Sequence, residues 1–170
     1  MKSLFRSGSQ VKGKRNTFLL LVLLFIMQLP VSGSDGEIKF TVSMDDAVNH
    51  NFRVTMTLTG IQQDYTVLKM PVWTPGYYWI QNYPKNLSSL TVRDGNGNIL
   101  GYEKTLKNAW KIRTAGISEL NISYLVYADN HSVADPFIDS THAFIAPAGL
   151  FLYPEDRLRS PSEITFVPLP

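Results

Sequence analysis

Three histidines, His50, His131 and His142, and the carboxylates Asp129, Asp135 and Asp139 are the side chains best suited by type to bind a metal or move a proton. No two of the histidines stand four residues apart, the spacing that lets one helix face offer both rings to a zinc ion, and no His-Glu-x-x-His occurs. Asp129, His131 and Asp135 fall at spacings of two and four, which on an extended segment would turn all three the same way. A calcium loop of the Asp-x-Asp-x-Asp-Gly kind is absent, and Asp94-Gly95-Asn96-Gly97-Asn98 is too short to be one. There is no Gly-x-Ser-x-Gly elbow for a serine nucleophile and no glycine loop that would cradle phosphate. The residues around Asp129 therefore read as a polar loop whose Asx side chains cap its own turns, and no catalytic residue or metal ligand is assigned to this chain.

The elements that would position such a loop are strands. Phe52, Val54, Met56 and Leu58 alternate with Arg53, Thr55 and Thr57, a period of two that places one face in a core. Ile38, Phe40, Val42 and Met44 repeat the pattern one segment earlier, so the two segments read as paired strands joined by Asp45 to His50. Further strands are expected at Tyr65 to Trp73, Leu87 to Val92, Ala109 to Thr114, Leu120 to Tyr127 and Ile164 to Leu169, which are rich in β-branched and aromatic residues. The Asp94 to Asn98 string is a hairpin turn, because Gly and Asn accept the positive φ that tight turns require. No window carries a sustained helical period. The expected class is all-β, an antiparallel β-sandwich preceded by an amino-terminal hydrophobic helix, with residues 128 to 148 as its one long irregular stretch.

That hydrophobic helix is a targeting segment. Lys2, Arg6, Lys12, Lys14 and Arg15 precede the apolar run Phe18 to Met27, which is too short to span a bilayer comfortably, and Val31-Ser32-Gly33 supplies small residues for cleavage before Ser34. Residues 1–33 are thus expected to be a signal peptide and residues 34–170 the mature domain; the alternative is an uncleaved membrane anchor. Export to the periplasm or the medium follows, with membrane contact only through that segment. Setting aside five of the 16 basic residues leaves 11 against 14 acids, a net charge of −3, which excludes a basic nucleic-acid surface. Without a single cysteine, the domain must be held by its core alone.

The run Met70-Pro71-Val72-Trp73-Thr74-Pro75-Gly76-Tyr77-Tyr78-Trp79-Ile80-Gln81-Asn82 is a Pro-rich, aromatic-dense turn. Together with Asn108 to Ile112, Tyr124 to Val133 and Ala146 to Tyr153, it resembles the amino-terminal domain of the glycyl-aminopeptidase family of zinc metallopeptidases, over residues 37 to 170. The resemblance implies an all-β, non-catalytic domain that packs on the catalytic domain of the same protein and helps shape its peptide cleft. Zinc and His-Glu-x-x-His belong to that following domain, with a PDZ domain common beyond it, and this chain ends near the boundary. His142, Phe144 and Gly149 are the expected cleft residues, on the same side as the carboxy terminus. Where the family pattern has an Arg and an acid, this chain has Gln81 and Asn82, so no ion pair is available there. Pro71, Trp73, Pro75, Gly76 and Tyr78 are expected to form a rigid, packed sheet corner. The competing reading is a stand-alone binding module for carbohydrate or protein, in which Trp73, Tyr77, Tyr78 and Trp79 form an exposed platform.

Overall fold

The computed structural model describes residues 36–168; the expected signal segment, residues 1–33, lies outside them. The all-β expectation holds, in three sheets. The largest has six strands in the order β12-β1-β2-β8-β4-β5, formed by β1 (Ile38–Asp46), β2 (Asn51–Thr59), β4 (Leu87–Asp94), β5 (Ile99–Leu100), β8 (Glu119–Tyr127) and β12 (Ser162–Val167). A second has the order β11-β3-β7-β6, from β3 (Tyr65–Lys69), β6 (Tyr102–Leu106), β7 (Ala109–Arg113) and β11 (Tyr153–Pro154). The short β9 (Phe137–Ile138) and β10 (Ala143–Phe144) make a small hairpin of their own.

Alternation in the sequence is what fixes the register. Val42 faces Val54, Val54 faces Tyr124, and Met56 faces Ile122, so the apolar alternate residues of β1, β2 and β8 fall on one side. Slipping any strand by one residue would turn that whole set to solvent. Leu68 of β3 and Trp110 and Ile112 of β7 belong to the same buried cluster, so the two larger sheets share one core. The Asp94 turn forms as expected, with Gly97 at φ 85° and the Asp94 carboxylate accepting from the amides of Asn96 and Asn98.

Two expectations need correction. β3 ends at Lys69 instead of reaching Trp73, because Pro71 has no amide to continue the ladder; Asn108 takes over, its Nδ2 donating to the Met70 carbonyl at 2.8 Å. The large sheet is also mixed, since β12 pairs parallel to β1, with Ile38 opposite Ser162 and Ser43 opposite Val167. The chain reaches β12 only after crossing through the edge of the other sheet at β11, and so enters from the same end as β1. Arg157 secures that return by donating to the carbonyls of Thr59 and Gly60 at 2.7 and 2.6 Å.

These pairings give the large sheet two distinct ends. At one lie Asp46, Asn51, Tyr127 and Leu87, and β12 runs toward it as far as Val167; at the other lie Asp94 and Leu120. Ile122 sits mid-sheet, fully buried. Ile122→Ala should lower unfolding free energy by about 2–5 kcal/mol, read from the urea midpoint, as expected for a truncated core isoleucine.

Candidate functional site

The Tyr127 end carries the irregular stretch, and local hydrogen bonds give it shape. Ala128 donates its amide to His50 O, and Ile138 donates to Ala128 O, so residues 128 to 138 form a loop closed at its base. His50 stands at φ 56°, a left-handed conformation that non-glycine residues take only under constraint. Its Nδ1 lies 2.7 Å from the Ile138 carbonyl, which can only accept, so Nδ1 carries the proton. Asp129 lies alongside, 3.5 Å from the same nitrogen, and accepts the Tyr127 hydroxyl at 3.1 Å. That bond, more than burial, pushes the Tyr127 phenol above its ordinary pKa.

All three histidines gather around one buried ring. His131, His142 and His50 lie 3.9, 5.1 and 6.4 Å from the centre of Phe137, an assembly that their sequence spacing did not reveal. Among the described residues, however, no three His, Cys, Asp or Glu side chains are placed to hold a metal ion. Asp129, His131 and Asp135 do not converge either: Asp135 accepts from Asn130 Nδ2 at 2.6 Å, and Asp129 turns to Tyr127 and His50.

The β9–β10 hairpin turns at Asp139 to His142. The Asp139 carboxylate accepts from the Thr141 hydroxyl and amide at 2.7 Å and from the His142 amide at 2.9 Å. Those bonds, the hydroxyl first, hold its pKa at about 2. Thr141 Oγ1 and Asp139 Oδ1 lie 2.9 and 3.3 Å from the same ring nitrogen, Nδ1 of His142. A nucleophile relay needs the hydroxyl and the carboxylate on opposite nitrogens, so this trio caps a turn and activates nothing.

His142 and Phe144 are exposed on that hairpin, as cleft residues must be. Gly149 is not: it lies buried in the helical turn Pro147–Leu150, where an added Cβ would stand 2.7 Å from Pro136 Cδ and 3.0 Å from Tyr83 Cδ1. Its smallness serves close packing of three segments. Because β12 runs toward the Tyr127 end, His142 and Phe144 stand on the side to which the chain's carboxy-terminal strand leads.

The Pro-rich turn departs from the expected corner. Thr74-Pro75-Gly76-Tyr77 is a tight turn with Gly76 at φ 83°, the conformation a type II turn demands at its third position, closed by Tyr77 N to Thr74 O at 3.2 Å. Gln81 N donates to Val72 O at 2.8 Å, which makes residues 72 to 81 a finger with a fixed base. The rings expected to pack do not: Trp73 is 50% exposed and Tyr78 89%, with Trp79 at 73% and Ile80 at 84%, while Tyr77 is half-buried. The ring that does pack is Tyr83, which donates to Ala134 O at 2.8 Å; burial first, then the Asp135 charge, raises its pKa. A backbone this tightly turned leaves its own side chains nothing to fold against.

Between finger and loop lies a polar cleft of about 380 Å³. Gln81, Asn82, Lys85 and Asn86 contribute from the finger side, and Tyr127, Asp129, Asn130 and Asp135 from the loop. Amides, a phenol, carboxylates and one ammonium can hold polar groups by hydrogen bonds; no nucleophile–base pair is among them. Of the cleft residues that sequence reading did not assign to a site, Asn86 opens an Asn-Leu-Ser sequon, while Lys85 and Tyr127 carry no motif of their own. Tyr127 is legible only as the residue where strand alternation gives way to Ala128-Asp129-Asn130.

Two outcomes follow. Gly149→Ala should destabilise by about 1–3 kcal/mol, because Pro136 and Tyr83 present rigid rings, while Gly101→Ala, with open space around it, should leave the urea midpoint nearly unmoved. The Asp139 carboxyl should titrate near 2 by NMR, against an ordinary 3.8, and Thr141→Ala should move it up. Since the folded pKa is the lower one, the hairpin's stabilisation by Asp139 is complete above about 4 and lost as pH falls through 2.

The chain matches the model of the Peptidase M61 N-terminal domain over residues 39–170. Comparison with curated proteins gave no match. Among solved structures it is similar to an aminopeptidase N family protein from Idiomarina loihiensis, with a TM-score of 0.72 and 25% identity over 78% of this chain. The chain spans only 22% of that protein's length. Matched over nearly all of its described residues, from the first strand through β12, the chain belongs to the Peptidase M61 N-terminal domain family, as its resemblance to glycyl-aminopeptidases implied.

Proposed function

We propose that this chain is the non-catalytic amino-terminal domain of an exported glycyl-aminopeptidase-like zinc metallopeptidase, packing on the catalytic domain and helping to shape the peptide cleft. The observation that carries this reading is the family match across 39–170 combined with the 22% share of a longer aminopeptidase N family protein. In this reading the two larger sheets, joined by one core, are the faces of a β-sandwich, and residues 1–33 direct export. The domain that follows would hold the zinc and supply Lewis-acid chemistry toward the peptide. This chain supplies His142 and Phe144 at the rim of the cleft.

The exposure of Trp73, Tyr78 and Trp79 favours the competing binding-module reading as far as exposure alone goes. The family match outweighs it, because a surface that another domain covers is exposed whenever the domain is viewed alone.

The reading is tested by joining this chain to a peptidase domain of the family. His142→Ala with Phe144→Ala should raise KM for a peptide with amino-terminal glycine by about three- to tenfold, with zinc content and kcat little changed, as for lost ground-state contacts. Unchanged KM would remove these two residues from the cleft, and an in-frame stop after Pro170 with no His-Glu-x-x-His downstream in the gene would return weight to the binding module.

A further inference from the structure

The finger contributes no residue to the chain's own buried core, yet it presents large rings to solvent from a backbone closed by its own hydrogen bonds. Four large apolar side chains, Trp73, Tyr78, Trp79 and Ile80, fall within eight residues and are half to nine-tenths exposed. Soluble monomers seldom show such a patch without a partner for it. Pro71, Pro75 and the positive φ of Gly76 fix the backbone beforehand, so binding would order little that is not already ordered. Aromatic anchors of this kind dominate binding energy where they enter a partner's pocket.

Position identifies the partner. Gln81 and Asn82 at the base of the finger line the same cleft as Tyr127 and Asp129. Tyr127 lies opposite Asn51 at the end of the large sheet toward which β12 runs. β12 therefore runs toward the end where the finger is rooted. An apolar groove of about 300 Å³ along Phe40, Phe151, Leu158 and Ile164 is the rival surface, but it includes Ile38 and Ser162, which mark the opposite end of β1 and β12.

We propose that the finger of residues 72–81 is a preformed hydrophobic plug, received by an apolar pocket in the domain that follows this one in the longer family proteins. This rests on the reading of the chain as the amino-terminal domain of such a protein. The occupant is that domain, not a second copy of this chain and not a sugar.

The chain has no cysteine, so single-cysteine variants report one site each. Ile80→Cys, Leu158→Cys and Ile99→Cys would be prepared in the chain alone and in the chain joined to the part of the Idiomarina loihiensis protein that it does not match. Alkylation by a maleimide is followed as mass added to peptides of this chain, and compactness of the joined protein by sedimentation. The expected result is that Ile80→Cys reacts about tenfold or more slowly in the joined protein, as for a site open less than a tenth of the time, while Ile99→Cys is unchanged. A compact joined protein with Ile80→Cys still fully reactive would overturn the plug and leave the packing reading standing, and protection of Leu158→Cys instead would move the interface to the groove. Two domains that sediment as independent beads would overturn both readings. Protection of Ile80→Cys in the chain alone that rises with its concentration would assign the finger to self-association and overturn the plug.

Discussion

An irregular segment of some two dozen residues laid against a β core must find a partner for every amide it buries, or lose about 1–3 kcal/mol for each one left unmatched. Backbone carbonyls meet most of that demand, and two buried phenols complete it at the points where the segment crosses the core. Tyr124, on a central strand of the large sheet, donates its hydroxyl to Leu150 O at 3.0 Å and accepts from Leu152 N at 3.1 Å. Leu152 leads directly into β11 of the other sheet, so one hydroxyl ties the connection between the sheets across the core. Tyr83 does the same for the 128–136 loop through Ala134 O, with Gly149 allowing the close approach. Burial pushes the Tyr124 phenol far above its ordinary pKa, which favours the neutral donor. Among the described residues no buried side-chain polar atom lacks a partner.

The same arrangement separates the two ends of the molecule in character. One end is closed by short turns such as Asp94 to Asn98, capped by their own carboxylates. The other gathers the histidines, the polar cleft, the β9–β10 hairpin and the base of the aromatic finger. Asp139 is engaged in its own turn, Asp129 turns to Tyr127 and His50, and Thr141 and Asp139 meet the same nitrogen of His142 rather than opposite ones.

Much of this was legible in the sequence. The period-two alternation in β1, β2 and β8 and the Asp-Gly-Asn-Gly-Asn turn are local signals with local causes, and the structure reproduces them. The parallel entry of β12 was not legible, because it depends on which sheet the preceding strand joins and not on anything within Ser162–Val167. Aromatic residues in a proline-rich turn suggested packing, since large rings carry most cores. Exposure instead fell to Trp73, Tyr78 and Trp79 and burial to Tyr83, because only Tyr83 lies where the chain rejoins the body of the domain. The histidine cluster around Phe137 is likewise a product of three loops meeting, which no spacing rule anticipates.

The central claim is that the Tyr127 end is the face this domain shows to the rest of a larger enzyme. Amide hydrogen exchange compared between the chain alone and the same chain joined to a family peptidase domain tests it most directly. The account predicts slower exchange at residues 72–82 and 137–144, with residues 94–106 at the far end and edge unchanged. Slowing confined to the far end, or to the groove along Phe40 and Leu158, would contradict it.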